Sequence, residues 1–214
     1  MKLFALFLSL LLLCSCQKMP QSVSYEEAAS YTQALWSALD TAEDGAVFAQ
    51  DLDLDGCPEL YLLYHSGEYE SALQGIGLNG QAYSLGCLEM GQPTVDVWWV
   101  AHCYNEEKAY LSIDTQGYAC SGDGNTSYTQ HNITLEKDGL SSFDVMVNNI
   151  PGVGVNYVID GKTITDHEEY NKAMKGFLLQ DGQGGSLDVI SFTEETLEQA
   201  VIDALTQWET EQNQ

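Results

Sequence analysis

The sequence predicts an α+β fold: an antiparallel β-sheet meander with an N-terminal helix and two C-terminal helices. Three observations predict it. Apolar residues recur at helical spacing over 24–39, and do so in two further stretches after residue 164. Between them lie short runs rich in Tyr, Val, Ile and Leu, separated by Gly, Asn and Asp turn signals. No segment repeats at a constant period, which argues against a propeller.

The first helix opens with a Ser-x-x-Glu capping box, Ser24 with Glu27, and carries Ala28, Tyr31, Leu35 and Leu39 on one face. Strands are expected at 46–49 and 60–64, on either side of an acidic loop. Strands at 72–78 and 82–88 flank Asn79-Gly80, the strongest hairpin signal in the chain. Residues 94–103 and 108–113 form another pair, and 127–135 is joined to 143–148 through Asp138-Gly139. Residues 155–159 run into the Asp160-Gly161 turn. A second capping box, Thr165 with Glu168, starts a helix carrying Tyr170, Met174 and Phe177. A Gly-rich loop at 182–185 leads to a short strand at 187–190. Thr193 is the expected cap of the last helix, which carries Leu197, Val201, Leu205 and Trp208.

The N-terminus reads as an address. Lys2 precedes an apolar run ending at Leu13. A membrane-spanning helix needs ~20 such residues, so the run fits the apolar region of a secretory signal. It closes on Leu13-Cys14-Ser15-Cys16, which resembles the bacterial lipobox. The resemblance implies a signal peptide over 1–15, lipidation at Cys16, a tether over 16–23 and a single domain over 24–214. Such a protein is held on the extracytoplasmic face of a bacterial membrane by its lipid and does not span the bilayer.

Charge removes whole classes of partner. The chain has 32 acidic residues against 7 basic ones, all lysine, for a net charge of −25. Nucleic-acid binding depends on neutralising phosphates with Lys and Arg, so no nucleic-acid partner is expected. Adsorption to anionic lipid is excluded on the same ground, which leaves anchoring to the acyl chain.

Four cysteines follow the anchor: Cys57, Cys87, Cys103 and Cys120. Four allow three disulfide pairings, and spacing does not choose among them. No C-x-x-C occurs after Cys16, which argues against a thioredoxin-like redox centre or a zinc ribbon. His102 and Cys103 are neighbours on an expected strand, so their side chains point to opposite faces and form no dyad.

The candidate metal centre is Asp51 to Leu60, DLDLDGCPEL. Carboxylates stand at loop positions 1, 3, 5 and 9, with glycine at position 6 for the sharp turn. Asp51, Asp53 and Asp55 each offer an oxygen, Cys57 its backbone carbonyl, and Glu59 closes the shell directly or through water. That is how a protein surrounds calcium. An EF-hand also needs a bidentate Glu at position 12, where this chain has Leu62 on an expected strand. The run resembles the calcium loops of FG-GAP-type and dockerin-like sequences, apart from Leu54 where glycine is common. The wider order, lipobox, helix, FAQDLDLDGCPELYLL, meander and YVIDGKTITDHEEYNKAM, resembles small uncharacterised lipoproteins of gut Firmicutes. That resemblance implies a shared architecture and no known reaction.

Other motifs fail on context. Gly75 to Gly80 spells G-x-G-x-x-G, but a strand follows it where a dinucleotide site needs a helix. The four histidines have no metal-ligand spacing, and no G-x-S-x-G is present. The one suggestion of a binding surface is Trp98 beside Asp96. On the expected strand, Val95, Val97, Trp99 and Ala101 face the core. Trp98 and Asp96 share the opposite face with Thr94 and His102, where they could hold a sugar ring or a peptide. The expectation is a calcium-stapled, non-enzymatic binding module for an envelope or extracellular ligand, a glycan or a peptide. The alternative is a calcium-dependent envelope hydrolase acting on glycan or peptide.

Overall fold

The computed structural model describes residues 24–39, 44–67, 70–78, 80–89, 99–105, 108–115, 126–136, 139–174 and 183–212. The fold is α+β, and its strands form two antiparallel sheets where a single meander was expected.

Helix α1 (Tyr25–Ala38) begins at the predicted capping box. The Ser24 hydroxyl accepts from the Glu27 N–H, and the Glu27 carboxylate accepts from the Ser24 N–H. Then come β1 (Asp44–Gln50), β2 (Glu59–Gly67), β3 (Glu70–Gly77) and β4 (Ala82–Glu89), a true meander. The β3–β4 turn is closed by the Gly77 N–H donating to the Gln81 carbonyl at 2.9 Å, and Gly80 takes φ +80° in it. A second meander follows: β5 (Trp99–Tyr104), β6 (Ala109–Thr115), β7 (Thr126–Glu136), β8 (Gly139–Ile150), β9 (Gly154–Ile159) and β10 (Lys162–Ile164). Helix α2 (His167–Met174), β11 (Gln183–Ser186), β12 (Ile190–Thr193) and α3 (Leu197–Gln212) complete the chain.

The last two strands return to opposite sheets. β11 pairs with β5 at the edge of the seven-stranded sheet, in the order β10-β9-β8-β7-β6-β5-β11. β12 pairs with β1 at the edge of the five-stranded sheet, in the order β12-β1-β2-β3-β4. The expected strand at 187–190 is therefore replaced by two short strands on either side of a link at Leu187 to Val189. Neither return partner is a sequence neighbour.

The layers follow from period-two alternation along each strand. Val47, Leu60, Leu62 and Tyr64 face the helices and pack on Ala28 and Trp36 of α1 and on Val201 and Leu205 of α3. Phe48, Tyr61, Leu63 and Leu73 face the other way, against Val100, Leu111, Ile113 and Ile133 of the second sheet. The far face of that sheet is partly covered by α2, where Met174 lies over Val145, Val147 and Ile159.

Three local expectations are corrected. Helix α2 is capped by Asp166, whose carboxylate accepts from the Glu169 N–H at 2.9 Å, and not by Thr165; a carboxylate at a helix start also meets the positive end of the helix dipole. Helix α3 opens at Leu197, with the Thr196 carbonyl taking its first bond from the Ala200 N–H. Thr193 instead ends β12, its N–H donating to the Thr196 hydroxyl. On β5 it is Val100 that is buried between the sheets, while Ala101 is half-buried, so the inward face is the even-numbered one. Phe177 lies outside the described residues.

Candidate metal centre

The β1–β2 connection carries the acidic loop. Its ends are held by the ladder, where Gln50 pairs with Glu59. Leu52 anchors it from below, buried in the core between the two sheets. Two residues turn the backbone through the left-handed region: Leu54 at φ +59° and Gly56 at φ +88°. Glycine accepts that conformation freely; leucine does so at a cost of about 1 kcal/mol.

Asp51 organises the turn. One carboxylate oxygen accepts from the Asp55 N–H at 3.1 Å and the other from the Gly56 N–H at 2.9 Å. Asp53 also accepts from the Asp55 N–H, at 3.1 Å. Glu59 is only 5% exposed and accepts from the Leu52 N–H at 3.1 Å and from the Tyr61 hydroxyl at 3.2 Å. Oxygens of Asp51, Asp53 and Glu59 all lie within 4.8 Å of one another. One Asp55 oxygen accepts from the Cys57 N–H at 2.8 Å.

The electrostatics are those of carboxylates crowded away from water. Burial, with the charges of Asp53 and Asp51 added, pushes the Glu59 carboxyl up to about 7. Burial and the same crowding push Asp51 up to about 6. Among the described residues, no cation figures in either shift. The donor set is all oxygen and its charge is in excess, which fits a hard divalent cation. Asp51, Asp53 and Glu59 would hold it, with backbone carbonyls and water completing the shell. Burial, then the nearby Asp55 carboxylate, raises the Cys57 thiol.

The structure thus brings together the side chains of three of the five predicted ligands, Asp51, Asp53 and Glu59, while the Asp55 carboxylate accepts from the Cys57 N–H in the same turn. Sequence reasoning missed Tyr61 and Tyr83. Tyr61 was legible: two residues from Glu59 on one strand, it must share its face. Tyr83 comes from β4 and had no local signal. Burial and then Glu59, Asp53 and Asp55 raise its hydroxyl. It lines a cleft of about 570 Å³ beside the loop, between Asp53 of the loop and Gln81 of the β3–β4 turn on one side and Lys108, just before β6, and Glu136 of β7 on the other.

The remaining predicted positions fall elsewhere. Cys16, Asp96 and Trp98 lie outside the described residues, as do Cys120 and the side chain of Cys87. Cys57 and Cys103 are free thiols. No helix among the described residues is long and apolar enough to cross a membrane. Comparison with known protein families, with curated proteins and with solved structures finds no match to this chain.

Proposed function

We propose that this protein is a lipid-anchored, extracytoplasmic binding module whose Asp51 to Glu59 loop holds a structural calcium ion. The observation that carries the reading is the convergence of Asp51, Asp53 and Glu59. Three carboxylates that close repel one another, and burial adds to the cost of charging them. A divalent cation removes both penalties. Because Leu52 ties the loop into the core between the sheets, an ion at this point stabilises the junction of β1 and β2, and with it the wall of the adjoining cleft. The ion's contribution is charge and geometry. The chain's own residues do the rest: Gly56 supplies the turn, and Tyr61 and the Leu52 N–H orient Glu59.

Support for the anchor is the Leu13 to Cys16 sequence, and the strongly acidic surface leaves a lipid as the means of holding the protein to a membrane. No residue is assigned a catalytic role.

The test is the melting temperature of the full-length protein in detergent, with millimolar calcium and then with chelator. A ligand that binds only the folded state contributes ~2.7 kcal/mol at a hundred times its dissociation constant. For a domain of this size that is a rise of roughly 5–10 °C. The rise should disappear in Asp53→Ala, and Cys16→Ala should move the protein from the membrane to the soluble fraction. Equal melting with calcium and with chelator would remove the metal from the reading.

A further inference from the structure

We propose that the outer face of the seven-stranded sheet binds a neutral oligosaccharide, in a groove at the β6, β7 and β8 end centred on Asn132. The inference rests on the binding-module reading and gives its ligand a chemical class and a location.

The groove has a volume of about 220 Å³, on the scale of a sugar ring, and its lining includes Tyr110, Asn132, Thr134, Ser141 and Phe143. Strand register puts them together. Asn132 pairs with Phe143 and Thr134 with Ser141 across β7 and β8, and Ser112, two residues from Tyr110, pairs with Asn132. Tyr110 and Phe143 supply aromatic surface, and Thr134 and Ser141 supply hydroxyls that both donate and accept.

Asn132 is the telling residue. It is 6% exposed, and its Nδ2 donates to the Phe143 carbonyl at 3.1 Å. Its Oδ1 is buried without any hydrogen-bond partner. Natural structures rarely leave such an atom unmet, because the unpaired acceptor costs on the order of 1–3 kcal/mol. Asn132 lines the groove, so a small turn of its amide brings this acceptor to a donor arriving there, and a sugar hydroxyl is such a donor.

Three features select a neutral sugar over other ligands. First, the net charge of −25 repels acidic glycans, while Lys108 and Glu136 at the groove offset each other. Second, an extended peptide is usually held by the free backbone groups of an edge strand. β6, β7 and β8 are interior strands, paired on both sides, so this wall offers side-chain groups in place of a free edge. Third, the groove is continued by the 570 Å³ cleft, since Lys108, Ala109, Thr134 and Glu136 line both. A chain of sugar units could pass from the Asn132 groove toward the Asp51 loop.

The experiment presents the full-length protein in detergent to an immobilised panel of neutral hexose and N-acetylhexosamine oligosaccharides. Sialylated glycans and lysine-rich and acidic peptides stand beside them. Expected is binding to at least one neutral oligosaccharide, weakened tenfold or more by Asn132→Leu. Ser141→Trp, an exposed position where a ring would occupy the groove, should weaken it equally while leaving the melting temperature within about 2 °C. Binding indifferent to both variants, binding to peptides or sialylated glycans alone, or no binding overturns the proposal. Calcium-dependent melting without sugar binding overturns only this inference. Variant-sensitive sugar binding without a calcium effect overturns only the metal.

Discussion

Glu59 is the residue on which the acidic loop turns, and its burial makes a prediction about pH. Without metal its carboxyl sits at about 7, against 4.5 for the free group. Between those values the folded state binds more protons than the unfolded state, so stability falls as pH rises through that window. Below pH 4.5 both states are protonated there and nothing is lost; above pH 7 the full penalty applies, on the order of 3 kcal/mol for a shift of this size. The metal-free protein should therefore melt at a higher temperature at pH 5 than at pH 8. Glu59→Gln should flatten that slope, and calcium should flatten it in the wild type by favouring the charged carboxylate. A metal-free melting temperature that rises from pH 5 to pH 8 would contradict this account. Much of the loop was legible residue by residue, because short-range turn chemistry makes Gly56 and the alternating aspartates informative on their own. The part played by Tyr83 was not, since it comes to the loop's side from β4 through pairings that the loop's own residues do not encode.

At the scale of elements, the sequence located the strands better than it located their partners. Period-two alternation and the Asn79-Gly80 and Gly139 turns describe neighbours, and neighbours pair as expected. The pairings β1 with β12 and β5 with β11 join segments far apart in sequence, and no local pattern encodes them. The reversed face of β5 has the same origin: the strand's apolar residues occur on both sides, and only the second sheet's position decides which side is inward. The helices packed on the first sheet contribute through a few large side chains. Trp36 of α1 is 3% exposed and meets Phe192 edge-on at 4.7 Å and Tyr64 at 5.6 Å. Trp36→Ala should cost about 3–5 kcal/mol, a fall in melting temperature of roughly 6–20 °C. A fall under 3 °C in a thermal melt would mean that α1 is not integral to the core.

For the whole molecule, charge dominates. With 32 acidic and 7 basic residues, the compact state brings like charges together that the unfolded chain keeps apart. Salt shortens the reach of that repulsion, from a Debye length of about 30 Å at 0.01 M to about 3 Å at 1 M. The metal-free protein should melt several degrees higher in 1 M sodium chloride than in 10 mM. An unchanged midpoint would mean that the acidic residues are too dispersed to repel one another. The α+β class could be read from the sequence because it depends on local periodicities. The division into two sheets could not, because it depends on which apolar faces find each other.

The short run from β11 to β12 also sets a clock. Strand β1 begins at residue 44 and its partner on that edge ends at residue 193, so 193 − 44, or 149 residues, separate them. In a chain exported before it folds, as proposed above, the edge of β1 has no partner for the time those residues take to cross the membrane. Over part of that time the β5 edge is equally uncovered. Any slowing in delivery of the C-terminal segment lengthens the interval in which two chains can pair with each other at these edges before either can close its own.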